Sequence, residues 1–276
     1  MPLKPADFRS TPASPSEIQP IRTFEVDELT VQVYESPEEV GLAGSAIARD
    51  ILQTAIEDRG KATAIFATGR SQVQLLHHLT DTTHPLDWQK ITGFHLDEYL
   101  GIAADHPASF RHYMKTHLTS QVSLGEWHSI EGDGLLPLNI CRDYEQKLRE
   151  SLADLCCLGV GNNGHLAFND PAVADFNDLE WVKVVRLDKQ NRQQQVESGA
   201  FTNLETVPHY AFTLTISAIR AVRQNICLAF GEGKATVVKK MLTEPVDTCC
   251  PASFLRQIPQ SLLLVDRSAA ARIRTT

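Results

Sequence analysis

Short apolar runs separated by polar, glycine-bearing stretches give this chain its rhythm, and most intervals between the runs carry a helical pattern. Leu29 to Tyr34 alternates apolar and polar residues and predicts a strand near a sheet edge. Ser36-Pro37-Glu38-Glu39 then supplies an N-cap, a proline at the first helical position and a capping-box glutamate. The helix that follows is predicted to run to about Asp58, with Val40, Ala43, Ile47, Ile51 and Ile56 as its apolar stripe. Ala62 to Ala67 and Ile91 to Leu96 predict further strands, with a helix through Leu79 between them. An amphipathic helix is predicted around Phe110 to Leu118. The stretch from 123 to 138 has no clear pattern, and Asn139 to Ala153 predicts a helix feeding the apolar run Leu155 to Val160. Trp181 to Leu187, Ala211 to Thr215, Asn225 to Phe230 and Ser261 to Asp266 predict the remaining strands, with helices to Leu242 and from Pro251. Strands alternating with helices point to an α/β fold: a mostly parallel sheet flanked by helices.

Four of these strands end in polar loops, which matters because open α/β sheets bind ligands at the carboxyl ends of their strands. After Leu155 to Val160 comes a turn with Gly159, Gly161 and Gly164, then Asn163, His165 and Asp170. After Ala62 to Ala67 comes Thr68-Gly69-Arg70-Ser71 at a helix start, a shape that offers backbone N–H groups to an anion. A plain capped turn has the same pattern, so this loop alone leaves both readings open. Gly231-Glu232-Gly233-Lys234 repeats the arrangement with a lysine, a residue equally at home on a solvated surface. After Ile91 to Leu96 come Asp97 and Glu98, which must face opposite sides of a strand, so only one can enter a cleft above the sheet.

The turn Gly159-Val160-Gly161-Asn162-Asn163-Gly164 has the GxGxxG spacing, but no long helix opens there and Pro171 interrupts. A dinucleotide site is therefore excluded on context. The Thr68 loop lacks the spacing of a nucleotide-triphosphate loop. The ten histidines are scattered without ligand spacing, so no metal is expected. A carboxylate and an imidazole suit proton transfer with no cofactor.

Length and composition narrow the setting. The 276 residues, 42% hydrophobic, suit one domain, predicted over residues 23 to 276 behind a proline-rich, extended or poorly ordered arm of residues 1 to 22. That arm has no apolar core of a signal peptide, and no run is long enough to span a membrane. A net charge of -8 without a basic stripe argues against a nucleic-acid partner. Six cysteines, four of them in adjacent pairs, suit reduced thiols in the cytoplasm better than disulfides.

The segments ATGRS, FHLDEYLG with DHPASF, LGVGNNGHLAFNDP and FGEGKA, in that order, resemble the glucosamine-6-phosphate deaminase/isomerase family from about residue 30 onward. The sister 6-phosphogluconolactonases are similar, but usually carry DER in place of DEY, and the AFN segment differs. The resemblance implies a Rossmann-like sheet and conversion of glucosamine 6-phosphate, or a close isomer, to a ketose 6-phosphate and ammonia. By the same resemblance Asp97 is the base between C2 and C1, and His165 opens the sugar ring. Asp170 stands where the family usually has Glu, and Asn163 where it has an Asp that tunes the histidine. Thr68, Gly69, Arg70, Ser71 and Lys234 match a phosphate site, and Arg192 is the candidate for an arginine the family uses there. A neutral Asn163 can orient an imidazole but does not stabilise its cation as a carboxylate does. The alternatives are a lactonase-like hydrolase and a non-catalytic sugar-phosphate sensor. A small sugar phosphate is the expected partner; a homo-oligomer is left open, since the family includes monomers and hexamers.

Overall fold

The apolar runs become the central strands of one sheet. The structure is a computed structural model that describes residues 18–197 and 199–273; most of the arm expected over residues 1 to 22 lies outside them. The first strand, β1 (Arg22–Val26), hairpins antiparallel onto β2 (Leu29–Tyr34). β3 (Ala62–Phe66), β4 (Ile91–His95), β6 (Glu126–His128), β7 (Leu155–Gly159), β10 (Gln224–Ala229) and β11 (Ser261–Asp266) complete eight strands in the order β1-β2-β11-β10-β7-β3-β4-β6. All neighbours but β1 and β2 pair in parallel. Such a sheet must be covered on both faces. Alternation along β7 does this: Cys156 and Leu158 join one apolar cluster, Leu155 and Cys157 the other.

On the second face lie α1 (Pro37–Arg59), α2 (Arg70–Leu79) and α3 (Phe110–Met114), the last continuing through a π turn to Thr119. On the first lie α4 (Pro137–Ser151), α6 (Ile216–Arg220) and α7 (Ala235–Thr243). Ser36 caps α1 by accepting from Glu39 N at 3.2 Å, worth about 1 kcal/mol. Glu39 reaches back one residue further than a standard capping box, to Glu35 N at 3.1 Å. The buried stripe of α1 also differs from the expected one. Ile47 and Ile51 are only partly buried, while Gly41, Gly44, Ala48 and Leu52 face inward. Small residues are needed there because α2 lies so close that a Cβ on Gly41 would stand 2.6 Å from Gln74 Cβ.

Two apolar runs leave the main sheet. β8 (Val182–Arg186) and β9 (Tyr210–Leu214) pair antiparallel, and β5 (Asp97–Tyr99) adds to β9, giving a separate three-stranded sheet. An apolar run specifies burial but not its strand partner, so the sequence pattern could not separate these runs from the parallel ones. Between β8 and β9 lies α5 (Lys189–Glu197), a helix the hydrophobic pattern does not predict.

Candidate active site

The strand order fixes where the polar loops meet. β10, β7, β3 and β4 are consecutive and parallel, so the segments leaving their carboxyl ends gather along one sheet edge. Those segments are Gly231–Lys234, Gly161–Asp170, Thr68–Ser71 and Leu96–Asp97.

The turn after β7 is wound tightly around its histidine. Gly161 N donates to His165 O at 2.9 Å, and Gly164 N to Gly161 O at 3.0 Å. A Cβ on Gly161 would lie 2.2 to 2.4 Å from the His165 ring, so only glycine lets the imidazole rest there. Gly164 has φ of +89°, and a Cβ on it would meet Cys250 Sγ at 2.6 Å. His165 Nδ1 lies 3.0 Å from Asp170 Oδ1. An ionised carboxylate only accepts, so its proximity favours the tautomer with the hydrogen on Nδ1, although ring and carboxylate are not aligned for a regular hydrogen bond.

Asp170 is almost fully enclosed and heavily bonded. Asn163 Nδ2 donates to its Oδ1 at 2.9 Å, and Asn191 Nδ2 reaches Oδ1 at 3.2 Å and Oδ2 at 2.9 Å. Burial pushes its pKa up, but the contact and charge of His165, with the two amides, outweigh that and hold it below the ordinary carboxylate range. Asn163 also accepts from His165 N at 3.1 Å. Its carboxamide thus meets the histidine backbone and the Asp170 carboxylate, and its influence on the ring runs through Asp170 rather than by direct contact.

Asp97 and Glu98 part company as strand alternation requires. Glu98 turns to the start of α3, accepting from Ser109 Oγ at 2.7 Å, Phe110 N at 2.9 Å and Arg111 N at 2.9 Å, with Arg111 Nε at 3.3 Å. It is a structural carboxylate. Asp97 is 7% exposed, and among the described residues no donor meets its carboxylate. Burial and the neighbouring Glu98 raise its pKa well above the ordinary value. Its register partner on β9, Thr213, accepts from Phe168 N at 3.0 Å, and Asn169 Nδ2 donates to Leu214 O at 2.8 Å. Those bonds dock the histidine turn against the Asp97 strand, with the Tyr99 and Phe168 rings 5.2 Å apart.

The two remaining loops adjoin β7 from either side. Gly69 (φ +109°) and Gly231 (φ +89°) adopt backbone conformations that favour glycine just before helical turns. Tyr113 Oη donates to Gly69 O at 2.9 Å; Gln72 Nε2 ties α2 to Leu158 O at 2.9 Å and touches Ser71 Oγ at 3.2 Å. Ser71 lies directly over Gly159, where a Cβ would be 3.0 Å from its Oγ. Thr68 is half-buried, and Gly69 and Arg70 are exposed. Lys234 Nζ donates to Val160 O at 2.7 Å and Asn162 Oδ1 at 2.8 Å. Burial, and then the nearby charge of Arg70, lower its pKa. Asp266 Oδ1 accepts from Gly231 N at 2.9 Å, anchoring that loop to β11. Arg192 is oriented differently: Nε and Nη2 donate to Val207 O at 3.2 and 3.0 Å, and Nη2 also to Leu204 O at 2.5 Å. Those donors bind α5 to the loop before β9, so a phosphate role for Arg192 gains no support from this arrangement.

Asn191, Thr213, Gln72 and Tyr113 are parts of this edge that sequence reasoning did not single out. None follows a strand in a polar, glycine-bearing loop, the only signal that marked the others.

Comparison with known proteins agrees with this architecture. Residues 35–264 match the family described as glucosamine-6-phosphate isomerases/6-phosphogluconolactonase. A glucosamine-6-phosphate deaminase of Listeria innocua is 35% identical over 230 residues, 83% of this chain and 95% of the relative. One from Lactobacillus delbrueckii subsp. bulgaricus is 31% identical over 227 residues, 82% of this chain and 93% of the relative. Among solved structures, a monomeric glucosamine-6-phosphate deaminase superposes with a TM-score of 0.81 at 29% identity, covering 88% of this chain and 99% of its own. The 6-phosphogluconolactonase of Trypanosoma brucei, at 19% identity and a TM-score of 0.73 over 92% of this chain and 100% of its own, shares the fold. A strand-end histidine turn on a parallel sheet, together with a family match across most of the chain, makes this protein a member of the glucosamine-6-phosphate isomerase/6-phosphogluconolactonase family.

Proposed function

We propose that the protein converts an amino-sugar phosphate, glucosamine 6-phosphate or a close isomer, with water into the ketose 6-phosphate and ammonia. The observation that carries this reading is the Asp97 carboxylate, buried and without a donor among the described residues, at the same strand-end edge as the His165 and Asp170 pair. A carboxylate with a raised pKa is a stronger base, suited to taking a proton from carbon. His165, with its free Nε2, takes the proton of the O1 hydroxyl and returns it to O5 as the C1–O5 bond breaks. Asp97 then removes the C2 proton of the open aldehyde while a proton of the C2 ammonium passes to O1, giving an enol-amine, and Asp97 delivers the C2 proton to C1. The resulting C2 iminium adds water and loses ammonia, leaving the ketone. Asp170 stabilises the imidazolium formed in the first step, a role suited to a carboxylate held in its ionised form.

Thr68, Gly69, Arg70, Ser71 and Lys234 are assigned to the phosphate. A dianion remote from C1 and C2 supplies binding energy that positions the reacting carbons. The six cysteines are free thiols, five of them buried, which suits the cytoplasm; no helix among the described residues is long and apolar enough to cross a membrane.

Ammonia release assayed across hexosamine 6-phosphates, their unphosphorylated parents and, in parallel, 6-phosphogluconolactone hydrolysis tests the reading. Ammonia from a phosphorylated hexosamine, with at least about tenfold lower kcat/KM on the parent sugar, is the expected result. Lactone hydrolysis without ammonia release would replace it.

A further inference from the structure

We propose that Asn191, on helix α5, is a positioning residue that sets the orientation of the His165 imidazole through Asp170. This rests on the deaminase reading for its kinetic consequence, but not for its geometry. Among the described residues, Asp170 Oδ2 has one hydrogen-bond partner, Asn191 Nδ2 at 2.9 Å. Every other contact, from His165 Nδ1 at 3.0 Å and Asn163 Nδ2 at 2.9 Å, falls on Oδ1. Donors on a single oxygen leave a carboxylate free to turn about its Cβ–Cγ bond. An amide that also reaches the second oxygen fixes the plane, and with it the direction in which Oδ1 meets the imidazole.

The amide is placed there at a cost. Asn191 is 3% exposed, and its Oδ1 is buried with no partner among the described residues. A buried carbonyl without a donor is unfavourable by about 1–3 kcal/mol, so an apolar residue would suit the packing better if nothing needed the N–H groups. The NH₂ edge faces Asp170, since it attracts a carboxylate and the oxygen edge repels it. The helix carrying the amide is itself pinned on both sides of it. Asp188 Oδ1 accepts from Asn191 N at 2.6 Å, and Arg192 Nε and Nη2 bind Val207 O. A chain of contacts therefore runs from α5 through Asn191 and Asp170 to the ring.

The test uses the full-length protein and two readouts. In the first, the ¹⁵N-histidine spectrum, with His165 assigned by loss of its signal in His165→Gln, reports the tautomer without substrate. Wild type should show the Nδ1–H form, and Asn191→Leu, which fills the same space, should show a mixture. In the second, Asn191→Leu should lower kcat/KM for ammonia release about tenfold or more, yet have no further effect in an Asp170→Asn background. Retention of the wild-type tautomer by Asn191→Leu overturns the proposal. So does an equal fold-loss in both backgrounds, which marks a contact independent of Asp170. If wild type releases no ammonia from any hexosamine 6-phosphate, the functional reading fails, while the tautomer measurement still decides the role of Asn191.

Discussion

Two aspartates at one sheet edge are held in opposite ways. Asp97, on the strand that follows β4, is buried with no donor among the described residues and sits beside a second carboxylate, so its charged form is disfavoured. Asp170, in the turn after β7, is equally enclosed, but two amides and an imidazole converge on it and its charged form is favoured. The same residue type, enclosed in both places, thus has its proton affinity raised in one and lowered in the other. Desolvation and the neighbouring Glu98 raise the pKa of Asp97, whereas the donors around Asp170 outweigh its desolvation. On the proposed reading the contrast suits separate tasks: one carboxylate to accept a proton from carbon, and the other to stay ionised beside a histidine that cycles its charge.

The largest effect expected is from Asp97→Asn. Turnover in the ammonia-release assay should fall about 100-fold or more with KM little changed. Stability should move the other way. An acid whose pKa is raised by folding binds more protons folded than unfolded, so its contribution falls as pH rises above the ordinary range near 4. Asn cannot ionise, so Asp97→Asn should raise Tm over wild type by an amount that grows from pH 5 to pH 8. A variant with unchanged Tm across that range would mean that Asp97 is not strained by burial.

Next in size is Gly161→Ala, which leaves both carboxylates intact but pushes the imidazole off its resting place. A displacement of about 1 Å costs on the order of 100-fold in rate, read as kcat/KM. Normal activity in this variant would separate His165 from the chemistry.

Asp170→Asn gives the smallest effect and the sharpest comparison with Asp97→Asn, because its effect on stability has the opposite sign. A carboxylate with a lowered pKa contributes stability above its unfolded pKa and loses it as pH falls through the folded one. The variant should be less stable than wild type at pH 7 by about 2 kcal/mol, since three donors would then face an amide. Denaturant melts should show that deficit shrinking in acid; a deficit independent of pH would point to packing instead.

The parts of this site that were legible in the sequence follow apolar strands. Asp97, His165, Asp170 and Lys234 each come directly after a run that had to be buried, so their exit at one edge followed from a parallel sheet. What escaped is carried by polar residues that face inward. Helix α5 reads KQNRQQQVE and has no apolar stripe; the faces it buries are the amide of Asn191 and the guanidinium of Arg192, which look like solvated surface in a sequence. β5 and β6 are three residues each, too short for periodicity to register. The docking of Phe168 and Asn169 on Thr213 joins segments 45 residues apart, a pairing that hydrophobic pattern does not encode.

Lys234 and Arg70 hold two positive charges near each other at the mouth of the edge, close enough for one to depress the other's proton affinity. That proximity is a repulsion between like charges, met at Lys234 Nζ by two uncharged acceptors, the Val160 carbonyl and the Asn162 amide oxygen. A doubly charged guest relaxes it more fully than a singly charged one, and a neutral sugar not at all. On the proposed reading that Lys234 and Arg70 hold the phosphate, discrimination among sugars begins with their valence, before any atom of the ring is read.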